Sequence, residues 1–193
     1  MTEAIQRYRL FCAATLDVAA ADAVERAISA PRASIQGFRW SRRDHWHLTL
    51  QFYGDVDVER VPALGDALAA AVSGPAVPVT LRGLGAFPSL RSPRVLLVGV
   101  EDPTHGLADL HRRVEAAGAA QGFEREDRRY NPHLTVARAA QGRSPSLARE
   151  LGSLTEVFVA ETLLREVVLF RSEPGPGRST YTPLRTLMLG PPA

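Results

Sequence analysis

The chain contains no lysine, so all 23 of its basic residues are arginines. Every fixed positive charge therefore sits on a planar fork suited to phosphate oxygens rather than on a compact ammonium. There is one cysteine, Cys12. A single thiol excludes an internal disulfide, and its place in the apolar run LFCAATL predicts a small buried side chain rather than a nucleophile. No stretch approaches the roughly 18 to 20 uninterrupted apolar residues of a membrane helix. The start, MTEAIQRYRLF, has acidic and polar residues where a secretory signal needs a basic segment and then an apolar one, so a cytoplasmic protein without a membrane partner is expected. With 45 % apolar and 23 % charged residues, the composition is that of an ordinary globular chain long enough for one substantial core.

What is present is a repetition. HLTL occupies positions 47 to 50 and HLTV positions 133 to 136, two of the five histidines in near-copies of one tetrapeptide. Arginines cluster around both copies: Arg39, Arg42 and Arg43 precede the first, Arg125, Arg128 and Arg129 precede the second, and Arg138 follows it. Basic charge gathered at both motifs points to an anionic ligand.

The order of elements repeats as well. The pattern predicts a strand at 7–16, a helix at 17–30 capped by Asp17, a short alternating segment at GFRWS, and a strand at 47–54 ended by Gly54. A helix at 57–74, stopped by Gly74 and Pro75, and a strand at 77–87 complete the first half. The stretch GAFPSLRSPR (85–94) is the expected connection. The second half is expected to hold a strand at 93–100, a helix at 102–123, the motif strand at 133–139, a short helix at 144–154, the apolar segment 157–172 and a strand near 179–190. One domain over 1–193 with pseudo-symmetric halves, about 1–88 and 89–193, is expected. Duplicated halves pack about a pseudo-two-fold axis and bring His47 and His133 to one groove.

Residues two apart on a strand share a face. Each motif thus offers an imidazole and a hydroxyl to one side, His47 with Thr49 and His133 with Thr135, while Leu48, Leu50 and Phe52, or Leu134 and Val136, face the other. Two imidazoles across a groove suit a reaction that takes a proton from one oxygen and gives one to another, such as phosphodiester hydrolysis. The threonine hydroxyls are placed to hold non-bridging phosphate oxygens. This scheme needs no metal or other cofactor.

On these motifs the chain resembles the two-histidine (2H) phosphoesterase superfamily. More narrowly it resembles the RNA 2′,3′-cyclic phosphodiesterase family, once described as 2′-5′ RNA ligases, through RLFCAATL, HLTLQFYGDV, LRGLGAFPSLRSPRVLLVGV, GFEREDRRYNPHLTVAR and VVLFRSEPGPGRSTYTPL. The resemblance implies a bilobal α+β fold, with an antiparallel sheet and helices in each lobe and a central cleft. It also implies metal-independent opening of a terminal 2′,3′-cyclic phosphate on RNA to a 2′-phosphomonoester. His47 and His133 would be the catalytic pair and Thr49 and Thr135 the phosphate-binding residues. Arg138 would contact the phosphate or the terminal base; strict alternation puts it on the wrong face, so that role requires a bulge. Phe11, Tyr130 and Tyr181 are candidates for the nucleotide site. The family suggests that His133 activates water and His47 protonates the 3′ oxygen, whereas the residues alone leave the two roles interchangeable.

The first motif departs from the family, which usually has asparagine and leucine before the catalytic histidine; here they are His45 and Trp46. A His-x-His pair on a strand is also a metal-ligand pattern, but no third ligand with suitable spacing is evident, so no metal is expected. Trp46 is expected in the core, and His105 and His111 in solvent. The substrate expected is an RNA 3′ end or nucleotide carrying a cyclic phosphate, bound by a monomer. The alternatives are a phosphoesterase acting on 2′-5′-linked oligonucleotides or a small cyclic phosphate, an RNA-end-binding protein, and a metal-dependent hydrolase.

Overall fold

A computed structural model describes residues 6–140, 146–175 and 179–191. The fold is α+β, with antiparallel pairing between all the named strands. In chain order the strands are β1 (Arg7–Thr15), β2 (Phe38–Trp40), β3 (His47–Asp57), β4 (Val77–Phe87), β5 (Val95–Glu101), β6 (His133–Ala139), β7 (Phe158–Leu164), β8 (Glu166–Pro174) and β9 (Ser179–Met188). The helices are α1 (Val18–Ser34), α2 (Val61–Ala71), α3 (Gly106–Ala120) and the single turn α4 (Ala148–Leu151). No helix among the described residues is long and apolar enough to cross a membrane.

The strands form one sheet in the order β7-β4-β5-β6-β3-β1-β8-β9, with β2 paired to β6. Only Arg165 separates β7 from β8, although five strands lie between them in that order, so the sheet must curl to bring their ends together. Strands β3 and β6 meet at its centre through one residue pair, Leu48 with Leu134. Both leucines are fully buried. On one side of this seam lie β1, β8 and β9, and on the other β5, β4 and β7, so strand order interleaves the sequence halves 1–88 and 89–193. Helix α1 packs on β7, while α3 packs on β3, β4 and α2.

Local chemistry accounts for most boundaries. Asp17 caps α1 as expected, accepting from the Ala20 amide at 2.7 Å, and its second oxygen accepts from the Thr162 hydroxyl of β7 at 3.0 Å. The helix runs past the expected end at residue 30, through a buried Pro31, to Ser34. Gly54 does not end β3. With φ of +67° it sits beside a register shift, where Leu10 pairs with Gly54 and Phe11 with Phe52, and the strand continues to Asp57. The next helix, α2, accordingly starts at Val61 rather than 57. Positions 144 and 145 of the expected short helix lie outside the described residues, and the rest of that segment forms α4 and a 3-10 turn at 152–154.

Gly83 has a φ of +75° at a bulge of β4 against β5, and a Cβ there would meet the Thr155 carbonyl oxygen at 2.0 Å. Both the backbone conformation and the contact exclude a side chain. Gly83→Ala is expected to cost about 2 kcal/mol or more and to lower Tm by at least about 4–8 °C in a calorimetric scan. An unchanged Tm would contradict this account of the bulge.

Candidate active site

The seam pair orients both motifs. Burial along the first five residues of β3 and of β6 follows one sequence: half-buried histidine, buried leucine, half-buried threonine, then two buried residues. His47, Thr49, His133 and Thr135 thus share one face over the buried leucines, as alternation predicts. The antiparallel sense brings His47 towards Thr135 and Thr49 towards His133, leaving the imidazoles diagonal across the seam.

Each ring is held the same way. His47 Nδ1 lies 2.8 Å from the His45 carbonyl oxygen, and His133 Nδ1 lies 2.9 Å from the Asn131 carbonyl oxygen. A carbonyl oxygen can only accept, so in both rings Nδ1 carries the hydrogen and Nε2 is left for chemistry. Around His47 the rings of Phe11, Tyr181 and Phe170 lie at 4.8, 5.4 and 6.2 Å; Phe87 stands edge-on to His133 at 4.9 Å. Phe170 pairs with Phe11 in the β1–β8 register as Phe87 pairs with Val95 in the β4–β5 register, so these two aromatics occupy matching positions in the two half-sites.

Two further bulges break strict alternation at matching places. In β6, Thr135 pairs with Leu97 and Ala137 with Leu96, so Val136 is the extra residue. In β3, Thr49 pairs with Ala13 and Gln51 with Cys12, so Leu50 is the extra residue. Each bulge exchanges faces beyond it. Arg138 thereby returns to the side of His133, as its expected role required, and its charge is felt at His47. The equivalent exchange in β3 overturns an expectation. Phe52, expected on the same face as Leu48 and Leu50, is 65 % exposed, whereas Gln51, expected on the opposite face, is buried and donates to the Glu124 carbonyl at 3.2 Å.

The remaining candidates divide. Tyr181 touches both His45, at 4.7 Å, and His47. Phe11 is only 3 % exposed and forms the wall behind His47 rather than offering its ring to solvent. Tyr130 stacks on His111 at 3.9 Å and donates to the Thr49 carbonyl at 3.3 Å, bracing the motif strand. His111 is therefore not in solvent: it is buried, with Nδ1 3.7 Å from Glu115, because α3 turns that face onto β3. His105 is exposed, and Trp46 lies in the core. The Cys12 thiol is fully buried and pushed up to about 12 by desolvation, which removes it as a nucleophile. Phe52, Phe87, Phe170 and His111 adjoin the candidate site without being revealed by the sequence pattern; the bulge that exposes Phe52 leaves no trace in a hydrophobicity pattern.

Two hollows flank the rings. A cavity of about 770 Å³ opens on the His133 side, lined by Thr49, Phe52, Phe87, Tyr130 and His133 among others. A smaller one of about 380 Å³ includes Arg39, Arg42, His45, Arg138 and Tyr181. Among the described residues no group of three or more His, Cys, Asp or Glu side chains is arranged to hold a metal ion.

The sequence profile of the LigT like Phosphoesterase family matches residues 18–97 and again residues 98–181. The chain belongs to this family. Over 185 residues it is 32 % identical to a Methanothermobacter thermautotrophicus protein named RNA 2',3'-cyclic phosphodiesterase, covering 95 % of this chain and 100 % of that one. Among solved structures, E. coli LigT complexed with 3'-AMP superposes with a TM-score of 0.74 at 29 % identity, covering 95 % of this chain and 99 % of that one. A Thermus thermophilus protein superposes with a TM-score of 0.73 at 27 % identity over 93 % and 97 % of the two chains. The double match agrees with the repeated motifs, and the LigT-like structures share this arrangement of strands and helices.

Desolvation holds the His47 imidazole down at about 4, with the Arg138 guanidinium pushing the same way and the hydrogen bond to His45 opposing. The ring is therefore neutral at pH 7 in the free protein. An unfolded histidine takes up its proton near pH 6.5, so between there and pH 4 the unfolded state binds more protons. The contribution of His47 to stability is complete above pH 6.5 and is lost as pH falls through about 4. The expected NMR titration midpoint for His47 is near 4, and it should rise when inorganic phosphate binds, because an anion favours the charged ring. A midpoint near 6.5 in the free protein would contradict this environment.

Proposed function

We propose that the protein hydrolyses the terminal 2′,3′-cyclic phosphate of RNA to a 2′-phosphomonoester, using His47 and His133 as an acid–base pair without a metal. The observation that carries this reading is the mirrored pair of rings, each with Nδ1 tied to the carbonyl two residues back and Nε2 available above the seam. His133 takes a proton from water as its oxygen bonds to phosphorus; the bond from phosphorus to the 3′ oxygen breaks, and His47 gives that oxygen a proton. The hydroxyls of Thr49 and Thr135 donate to the non-bridging oxygens, and Arg138 offsets their charge. Because His47 is neutral in the free protein, its role as the acid requires the bound phosphate anion to raise its affinity for the proton. Tyr181 and Tyr130 line the nucleotide site, the first by contact and the second by bracing Thr49.

The activity for which the Methanothermobacter relative is named supports the substrate. A 5′-hydroxyl in place of water gives 2′-5′ ligation by the same route. A monomer suffices for this reaction, since one chain holds both half-sites, and the cytoplasm, where RNA ends are processed, is the proposed location.

The test is hydrolysis of a short RNA ending in a 2′,3′-cyclic phosphate, with EDTA present. Wild-type turnover to a 2′-phosphate is expected, with kcat reduced about 10²–10⁴-fold in each of His47→Ala and His133→Ala. Loss of wild-type turnover on adding EDTA would overturn the metal-free mechanism, and a 3′-phosphate product would overturn the assignment of the leaving oxygen.

A further inference from the structure

The two hollows beside the histidines differ in chemistry. The smaller is lined by Arg39, Arg42, His45 and Arg138, with Ser41 and Tyr181 among the others, and among the described residues no aspartate or glutamate belongs to its wall. Arg39 and Arg138 are direct cross-strand partners in the β2–β6 register. Like charges placed opposite each other on a sheet repel. Arg39 also donates to the Ala140 carbonyl at 2.6 Å, which keeps its guanidinium over this edge of the sheet. Arg42 meets Asp44 through two bonds, at 3.0 and 2.7 Å, but both side chains are more than half exposed. Such a pair is held weakly, so a stronger anion can share the guanidinium at little cost.

The hollow continues the active site. The Tyr181 ring contacts His47 on one side and His45 on the other. Its occupant therefore lies next to whatever His47 serves. If His47 protonates the 3′ oxygen, the ribose of the terminal nucleotide sits on the His47 side of phosphorus, and its 5′ carbon leads away on that side.

We propose that this arginine-lined hollow is a second phosphate subsite, which binds the phosphate on the 5′ side of the nucleotide bearing the cyclic group. The inference rests on the function proposed above and extends it from one phosphate to two. Arg42 and Arg39 supply guanidinium forks, and the His45 imidazole supplies an N–H donor. His45 is one of the two residues at which the first motif departs from the pattern of the family it resembles. The source of the phosphate is either the preceding linkage of an RNA strand or the 5′-monophosphate of a single nucleotide.

The experiment compares kcat/KM on adenosine 2′,3′-cyclic phosphate, its 5′-phosphorylated form and the dinucleotide ending in the same cyclic group. The enzymes are the wild type, an Arg42→Gln/His45→Asn double variant and an Arg112→Gln control on the outer face of α3. A gain of about tenfold on a phosphate-bearing substrate, carried by KM, is expected in the wild type and the control and should disappear in the double variant. Which substrate gains identifies the source. The dependence of log KM on log salt should be steeper for that substrate by about 0.7 per phosphate contact. Equal kcat/KM on all three substrates, or a gain that survives in the double variant, would overturn the subsite. Calorimetric affinities for the corresponding 2′-phosphate products give the same ratio without turnover. A wild type that turns over nothing but binds the phosphate-bearing product more tightly would thus sink the proposed reaction and keep the subsite, whereas equal product affinities would sink the subsite.

Discussion

The pairing of Leu48 with Leu134 is the constraint on which the site depends. It is the one register pair that joins β3 to β6, and it lies at the centre of a sheet that otherwise separates into two sides. Both leucines are excluded from water, so burial fixes which face of each strand looks into the cleft. A slip of one residue would move every imidazole and hydroxyl to the buried side and every leucine into solvent. Hydrophobic burial on one face thereby sets the geometry of polar groups on the other. The curl imposed by the short β7–β8 connection then turns that polar face into a concave one.

From this seam outwards the half-sites match and then diverge. They share the histidine, the threonine, the hydrogen bond to the carbonyl two residues back, an aromatic beside each ring and a bulge at the third residue after each histidine. Past the bulge, one side presents Arg138 and the other Phe52. The matching backbone of β3 and β6 therefore delivers two side chains of opposite character to equivalent places. A cation reaches towards His47 from one direction, and an exposed aromatic ring borders the larger cavity from the other.

Much of this is legible in the residues. The tetrapeptides locate the histidines and threonines on one face, the order of elements is readable with modest errors at the ends, and Asp17 announces its helix. The bulge needed to turn Arg138 towards the cleft can be anticipated because a role for that arginine conflicts with strict alternation. No such conflict flags Phe52, since an apolar residue in phase with Leu48 and Leu50 reads as core. Phe87 and Phe170 reach the site through strands distant in sequence, and His111 is buried by the packing of α3 on β3. Those contacts depend on the order of strands in the sheet, which local periodicity does not encode.

The anchoring of both Nδ1 atoms has a consequence for the catalytic cycle. Neither ring can rotate to exchange its nitrogens without breaking its hydrogen bond, so each passes protons through Nε2 alone. In the proposed reaction the two rings end one turnover with their protons transposed: the former base is charged and the former acid is neutral. That state is poised for the reaction to run backwards on the product still in the cleft. Product departure and proton exchange with solvent must restore the starting pattern, and they make the forward direction a matter of resetting as much as of bond breaking.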